Sequence, residues 1–293
     1  MPRSHLLLCV LLFAWLPQAR AQEFVRLPVQ VDNETVRLVT QIYKPAGPGP
    51  FPTLIFHHGS TQNGISEQFS EVFSPEPLTD WFVARGWAVV LPSRRGRGGS
   101  EGRYDEGFSI PRVQGYSCEP NLSIPGAERA LRDVTAATAA IMALPFVDHS
   151  RLMVGGQSRG GVLSVAHAGM NPGLYRGVLN FVGVWVYEKC QEFFDRSAIY
   201  INRLLLGRGT TTTLPMLWLY AAGDSYASLR HSQNNFADFQ MAGGRGEFHA
   251  LPRPADSDGH ALVVFPKLWA PAVERYLAER NLPTRAGVLA EVF

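Results

Sequence analysis

The sequence predicts an α/β fold: a mostly parallel, eight-stranded sheet covered by helices on both faces. Three observations predict it. Short apolar, β-branched runs alternate with helical patterns along the chain. After the first pair, those runs are almost continuously apolar, as strands buried on both faces must be. And the segment GGQSRGG, residues 155–161, sits where one such run, RLMV, gives way to a helical pattern, VLSVAHAGM.

Each element has its own signal. FVRLPVQV (24–31) and VRLVTQIYKP (36–45) read as paired strands with Asp32-Asn33 in the turn between them. Proline and glycine at 47–52 break the chain before TLIFHH (53–58), a buried strand. PLTDWFVAR (77–85), closed by Gly86, reads as a helix, and WAVVLPS (87–93) as the next strand. A long loop over 94–126 leads to an Ala- and Leu-rich helix at 127–144. RLMVGG (151–156) is a strand, 159–170 a helix, 177–185 a strand and 189–206 a helix. Strands at 215–222 and 246–252 flank a helix at 227–242, and a last helix spans about 261–280. Sheets of this kind carry ligands at the carboxyl ends of their strands, so chemistry is sought there.

Gly156-Gln157-Ser158-Arg159-Gly160 fits G-x-S-x-G between a strand and a helix. Such a turn exposes the serine, its glycines avoid clashes with adjoining strands, and the helix N-terminus faces a developing oxyanion. A serine hydroxyl is a weak nucleophile and needs a base, which in turn needs an orienting acid. Asp224 follows the strand PMLWLYAA, and His260 lies in the loop before the last helix, which gives the order Ser, Asp, His. Asp256 and Asp258 are nearby rivals for the acid. His249 is expected to pack within a strand and His231 to lie on a solvated helix face. The alternative for all three residues is structural: a tight glycine turn, a capping aspartate and a loop histidine.

A tetrahedral intermediate needs donors. One is the backbone N–H of Arg159; the other comes from the loop FHHGSTQNG, at Ser60 or Thr61. The adjacent His57 and His58 invite a metal, but strand neighbours face opposite ways and no H-E-x-x-H or cysteine cluster accompanies them. No metal is expected, and His58 reads as a structural histidine beneath the oxyanion loop.

The first 21 residues read as a secretory signal peptide: Arg3, an apolar run from Leu6 to Leu16, and Ala19-Arg20-Ala21 as the cleavage pattern. Cleavage after Ala21 leaves residues 22–293 as one domain, secreted or periplasmic. It removes Arg3 and Arg20 and no acid from 27 basic and 25 acidic residues, so the remainder is neutral. A neutral chain carries no nucleic-acid footprint, and no other apolar run is long enough for stable membrane insertion. Cys9 leaves with the signal; Cys118 and Cys190 remain, and in an oxidising compartment they are expected to pair. Two separate buried thiols are the alternative.

HHGS, SRRGRGGSEG, GGQSRGG, LYAAGDSYA and DGHAL together resemble the α/β-hydrolase superfamily, within it the dienelactone-hydrolase and prolyl-oligopeptidase-like serine hydrolases. The resemblance implies a Ser-His-Asp esterase or peptidase that needs no cofactor. It maps the triad onto Ser158, Asp224 and His260 and the oxyanion positions onto Ser60 and Arg159. Two departures matter. Dienelactone hydrolases use a cysteine where this chain has Ser158, and prolyl oligopeptidases place a β-propeller ahead of the hydrolase domain, whereas only residues 22–52 precede the third strand here.

The expected substrate is a small-molecule or saccharide ester, with cap-like insertions near 94–126 and 185–206 shaping its pocket. Trp185, at a strand end, is the candidate pocket aromatic, or else ordinary core. Arg94, Arg95 and Arg97 read in two ways: Arg95 above all as receiving a substrate carboxylate, or the set as pairing with acids of the protein.

Overall fold

The computed structural model describes residues 21–60, 72–185, 190 and 197–284. The proposed signal segment Met1–Arg20, Thr61 and most of 186–196 lie outside the described residues.

Eight strands form one sheet: β1 (Ala21–Val31), β2 (Glu34–Lys44), β3 (Phe51–His57), β4 (Ala88–Pro92), β5 (Val147–Gln157), β6 (Gly177–Phe181), β7 (Met216–Ala221) and β8 (Gly246–Leu251). Their order across the sheet is β1-β2-β4-β3-β5-β6-β7-β8. β1 and β2 form an antiparallel hairpin whose turn, Asp32-Asn33, takes positive φ at both residues. β2 is antiparallel to β4; from there to β8 every pairing is parallel. The central strands are buried along their whole length, which is why they read as unbroken apolar runs.

Six helices follow: α1 (Glu76–Val83), α2 (Pro120–Met142), α3 (Arg159–Met170), α4 (Ser197–Gly207), α5 (Leu229–Met241) and α6 (Pro266–Ala278). α2, α3, α4 and α5 pack in sequence on one face, while α1 and α6 meet on the other. On the α1/α6 side, Trp81 meets Phe82 and Trp269 edge-on, and Phe181 of β6 packs on Trp269.

Several boundaries differ from the sequence reading; β5, for one, starts at Val147, four residues before 151. α2 begins at Pro120, seven residues before 127, and carries Pro125 inside its first turns. Proline fits a helix start because it has no N–H to leave unpaired, so Pro120, which looks like a break, opens the helix, and Pro125 is carried within it at the cost of one intrahelical hydrogen bond. The strand expected over 177–185 ends at Phe181, where Val182 turns to φ +44°. The last helix is preceded by a separate 3-10 turn, Gly259–Val264, which carries His260.

Candidate active site

The site is built from the carboxyl ends of β3, β5 and β7 and from the turn ahead of α6. β5 runs into a sharp turn at Ser158 (φ +57°, ψ −127°), and α3 starts at the next residue. The flanking glycines are dictated by space. A Cβ on Gly156 would lie 2.3 Å from the Gly160 carbonyl carbon, and one on Gly160 would lie 2.1 Å from the His57 oxygen. The Ser158 N–H donates to the Phe181 carbonyl at 2.9 Å, and its own carbonyl accepts from Gly161 at 2.9 Å. The turn is therefore pinned on both sides, which maintains a backbone conformation that side-chain-bearing residues rarely adopt.

Asp224 stands three residues past β7, after Gly223 at φ +72°. One carboxylate oxygen accepts the N–H groups of Tyr226 (2.8 Å) and Ala227 (3.1 Å). The other lies 2.9 Å from His260 Nδ1. Its side chain is buried, and the imidazole is mostly so. The histidine turn sits directly on the aspartate turn: a Cβ on Gly259 would meet the Ala222 oxygen and the Asp224 nitrogen at 2.6 Å. Asp258, weighed above as a rival acid, instead accepts the backbone N–H groups of His260 (2.7 Å) and Ser225 (3.2 Å). It fixes the turn, and Asp224 faces the ring.

Ser158, His260, Ser60, Gly59, Gln157 and Tyr226 line a cavity of about 180 Å³ together with His58, Phe73 and Arg97. Thus the three triad candidates converge, and Ser60 borders the same space. Arg159 is the first residue of α3, so its N–H has no intrahelical partner. Sequence reasoning missed two contributors. Gln157 donates its side-chain amide to the His260 carbonyl at 2.7 Å, tying the elbow to the histidine turn. Tyr226 lays its ring 4.4 Å from the imidazole. Gln157 occupies a variable position of G-x-S-x-G, so the motif is silent about it; the two-residue spacing from Asp224 was the only signal for Tyr226.

Beneath the site lies a buried charge cluster. Arg94 donates to Glu106 (2.6 Å), to the His58 carbonyl (2.8 Å) and to the Gly59 carbonyl (3.2 Å). The Arg94 N–H donates to His58 Nε2 at 3.0 Å, so the proton of that neutral ring sits on Nδ1, which faces the Gly59 oxygen at 2.6 Å. Burial, then the Arg94 charge, hold His58 well below the usual histidine range. Arg159 donates to the Glu106 carbonyl at 2.7 Å, and its guanidinium stacks between Tyr116 and Trp185 at 3.9 and 4.5 Å. Burial raises the Glu106 carboxyl, but Arg94 and Arg159 outweigh it and leave the group lowered. Two arginines on one carboxylate leave a net positive charge beside the oxyanion loop, the sign that a developing oxyanion prefers.

The two substrate-binding candidates lie elsewhere. Arg95 is buried and committed to acids of the protein, 2.6 Å from Asp32 and 2.5 Å from Asp133. It does not border the Ser158 cavity; neighbouring loop residues point apart, and Arg94 and Arg97 take the site side. Trp185 is buried, with its backbone N–H on the Asn202 side chain at 2.8 Å and Arg159 over its ring. It is core, one residue removed from the site. His231, expected on a solvated face, is buried near the start of α5. Cys118 and Cys190 are joined by a disulfide, Cα–Cα 5.5 Å. Among the described residues no cluster of three or more histidine, cysteine or acidic side chains is gathered for a metal, and no helix is long and apolar enough to cross a membrane.

Comparison with known proteins agrees with this architecture. The model of the X-Pro dipeptidyl-peptidase (S15) family matches residues 32–117, and that of the prolyl oligopeptidase family matches 126–200. An esterase of Pyrococcus furiosus superposes with a TM-score of 0.57 at 14% identity, over 88% of this chain and 90% of that one. An acetyl xylan esterase from Paenibacillus sp. R4 gives 0.58 at 18% identity, over 90% and 89%. The protein has the α/β-hydrolase fold. A third structure of that fold, a Butyrivibrio proteoclasticus protein with ferulic acid bound, matches this chain at a TM-score of 0.59 and 15% identity, over 87% and 98%. No curated protein matches this chain in sequence.

Proposed function

We propose that the protein is an exported serine hydrolase that cleaves carboxylic esters through an acyl-enzyme intermediate. The observation that carries the proposal is the convergence of an elbow serine with a histidine held by a buried aspartate on one cavity. Ser158 attacks the ester carbonyl while His260 takes its proton. Asp224 holds the Nδ1–H tautomer of the ring, leaving Nε2 as the base. The N–H groups of Arg159 and Ser60 receive the oxyanion above the Arg94–Glu106–Arg159 cluster. His260 then returns the proton to the leaving alcohol, and water, activated by the same ring, releases the acid. The esterase neighbours and a cavity of about 180 Å³, sized for a small acyl group, support an ester of a small molecule or saccharide. The signal-like start and the Cys118–Cys190 bond support export.

A peptidase on the same triad is the second reading, favoured by the two peptidase-family matches. A fluorophosphonate reagent with adduct mapping, beside p-nitrophenyl esters and matching p-nitroanilides, tests both. An adduct on Ser158 and turnover of esters alone is the expected result. Faster anilide turnover would make the protein a peptidase, and full activity in Ser158→Ala would overturn the mechanism.

A further inference from the structure

Among the described residues a second cavity lies apart from the catalytic one. It measures about 560 Å³, shares no residue with the Ser158 cavity, and lies between the loop over 103–112 and the first turns of α2. Four arginines border it, Arg103, Arg112, Arg129 and Arg132, against a single acid, Asp105.

Those charges are poorly neutralised. Among the described residues, Arg103 and Arg112 have no carboxylate within 4 Å; Arg112 donates to the Tyr104 carbonyl at 2.7 Å. Among the described residues, the carboxylate that Arg129 and Arg132 pair with is Asp32, at 3.9 and 2.6 Å, and Asp32 is already held by Arg95 at 2.6 Å; Arg129 also donates to the Arg103 carbonyl at 3.0 Å. Burial, then the Arg95 charge, lower the Arg129 guanidinium, as expected where positive charge is in surplus. The positive end of α2, which has no side-chain cap, adds to the same field. Apolar side chains also line the cavity: Phe108, with Arg112 stacked 3.6 Å over it, and Leu122, with Ile110 at the rim, 83% exposed.

We propose that this cavity is a second binding site, for an organic anion bearing two or more carboxylates. Arginine forks match carboxylate geometry, and several spaced forks select several carboxylates. The apolar part of the lining favours a carbon skeleton over a bare inorganic ion. The volume fits an occupant the size of a di- or trisaccharide. Acidic sugars and compact polycarboxylates share this chemistry.

Isothermal titration of the purified protein, at fixed ionic strength, separates the cases. The ligands are trigalacturonate and citrate, with maltotriose as a neutral sugar and sulfate as an inorganic anion. The expected result is binding of at least one polycarboxylate ten times tighter than sulfate, with none of maltotriose. A preference for trigalacturonate assigns an acidic sugar, and a preference for citrate a compact acid. Arg103→Ala/Arg112→Ala is expected to weaken that binding tenfold or more. Arg103→Glu, at an exposed side chain with no partner to lose, is expected to do the same with turnover of p-nitrophenyl esters unchanged. No binding of either polycarboxylate, affinity equal to sulfate's, or full affinity in Arg103→Glu would each overturn the proposal. The titration does not depend on turnover, so its failure is distinct from failure of the esterase reading.

Discussion

Ser158 combines the reactive hydroxyl with a backbone at φ +57°, held there by hydrogen bonds to Phe181 and Gly161. A residue with a Cβ is strained in that region, and glycine is not. Ser158→Gly and Ser158→Ala are both expected to lack turnover. In urea unfolding, however, the glycine variant is expected to be more stable than the alanine one by about 1 kcal/mol. Equal stability would mean that the elbow carries no strain. The triad was legible because fold logic ties each member to a strand end: Ser158 after β5, Asp224 after β7, His260 before α6. Arg94 and Arg95 show where legibility stops. They are adjacent and identical, yet one supports the oxyanion loop and the other pairs with Asp32 and Asp133. Direction along an irregular loop has no period, so nothing in the residues themselves could separate them.

At the scale of elements, α3 is central. Every residue from Arg159 to Gly169 is buried, so it has no polar face. It therefore buries His167, whose Nδ1 lies 2.8 Å from the Tyr175 hydroxyl. Burial pushes that imidazole down to about 4, from the ordinary 6.5. Above pH 6.5 both folded and unfolded chains hold it neutral, and it contributes nothing to pH dependence. As pH falls from 6.5 towards 4, the unfolded chain gains a proton that the folded one refuses, and stability is lost. His57 and His58, also lowered by burial, act in the same direction. Urea midpoints at pH 7 and 4.5 are expected to show His167→Gln losing about 2 kcal/mol less than the wild type. Identical losses would remove His167 from the acid sensitivity. The helices and strands were readable from apolar runs because the sheet is covered on both faces. The start of α2 was not, since Pro120 signals interruption and helix entry alike, and Pro125 signals a break inside a helix that runs through it.

Across the molecule, the Cys118–Cys190 bond joins the connection after β4 to the one after β6, over a separation of 72 residues. Closing a loop of that length restricts the unfolded chain by about 4 kcal/mol. Cys118→Ser/Cys190→Ser is expected to melt on the order of 10 °C lower. An unchanged melting temperature would show that the packing of Tyr116, Arg159 and Trp185 already fixes these segments. The pairing was legible because only two cysteines lie beyond the signal-like start. The second cavity was not, because its arginines come from two segments whose meeting depends on where α2 begins.

Glu106 has a consequence for the order of assembly. Its carboxylate joins Arg94, beside the end of β4, to Arg159, at the start of α3, and Arg94 in turn grips the carbonyls of His58 and Gly59. Three stretches distant in the chain meet at one buried anion. A folding chain can pair its strands, and even seat Asp224 on His260, before that anion is captured. Such a species would have the secondary structure of the native protein and an aligned dyad, but no rigid loop to receive the oxyanion. Competence for chemistry therefore requires more than paired strands and an aligned dyad: it requires one carboxylate closed between two guanidiniums.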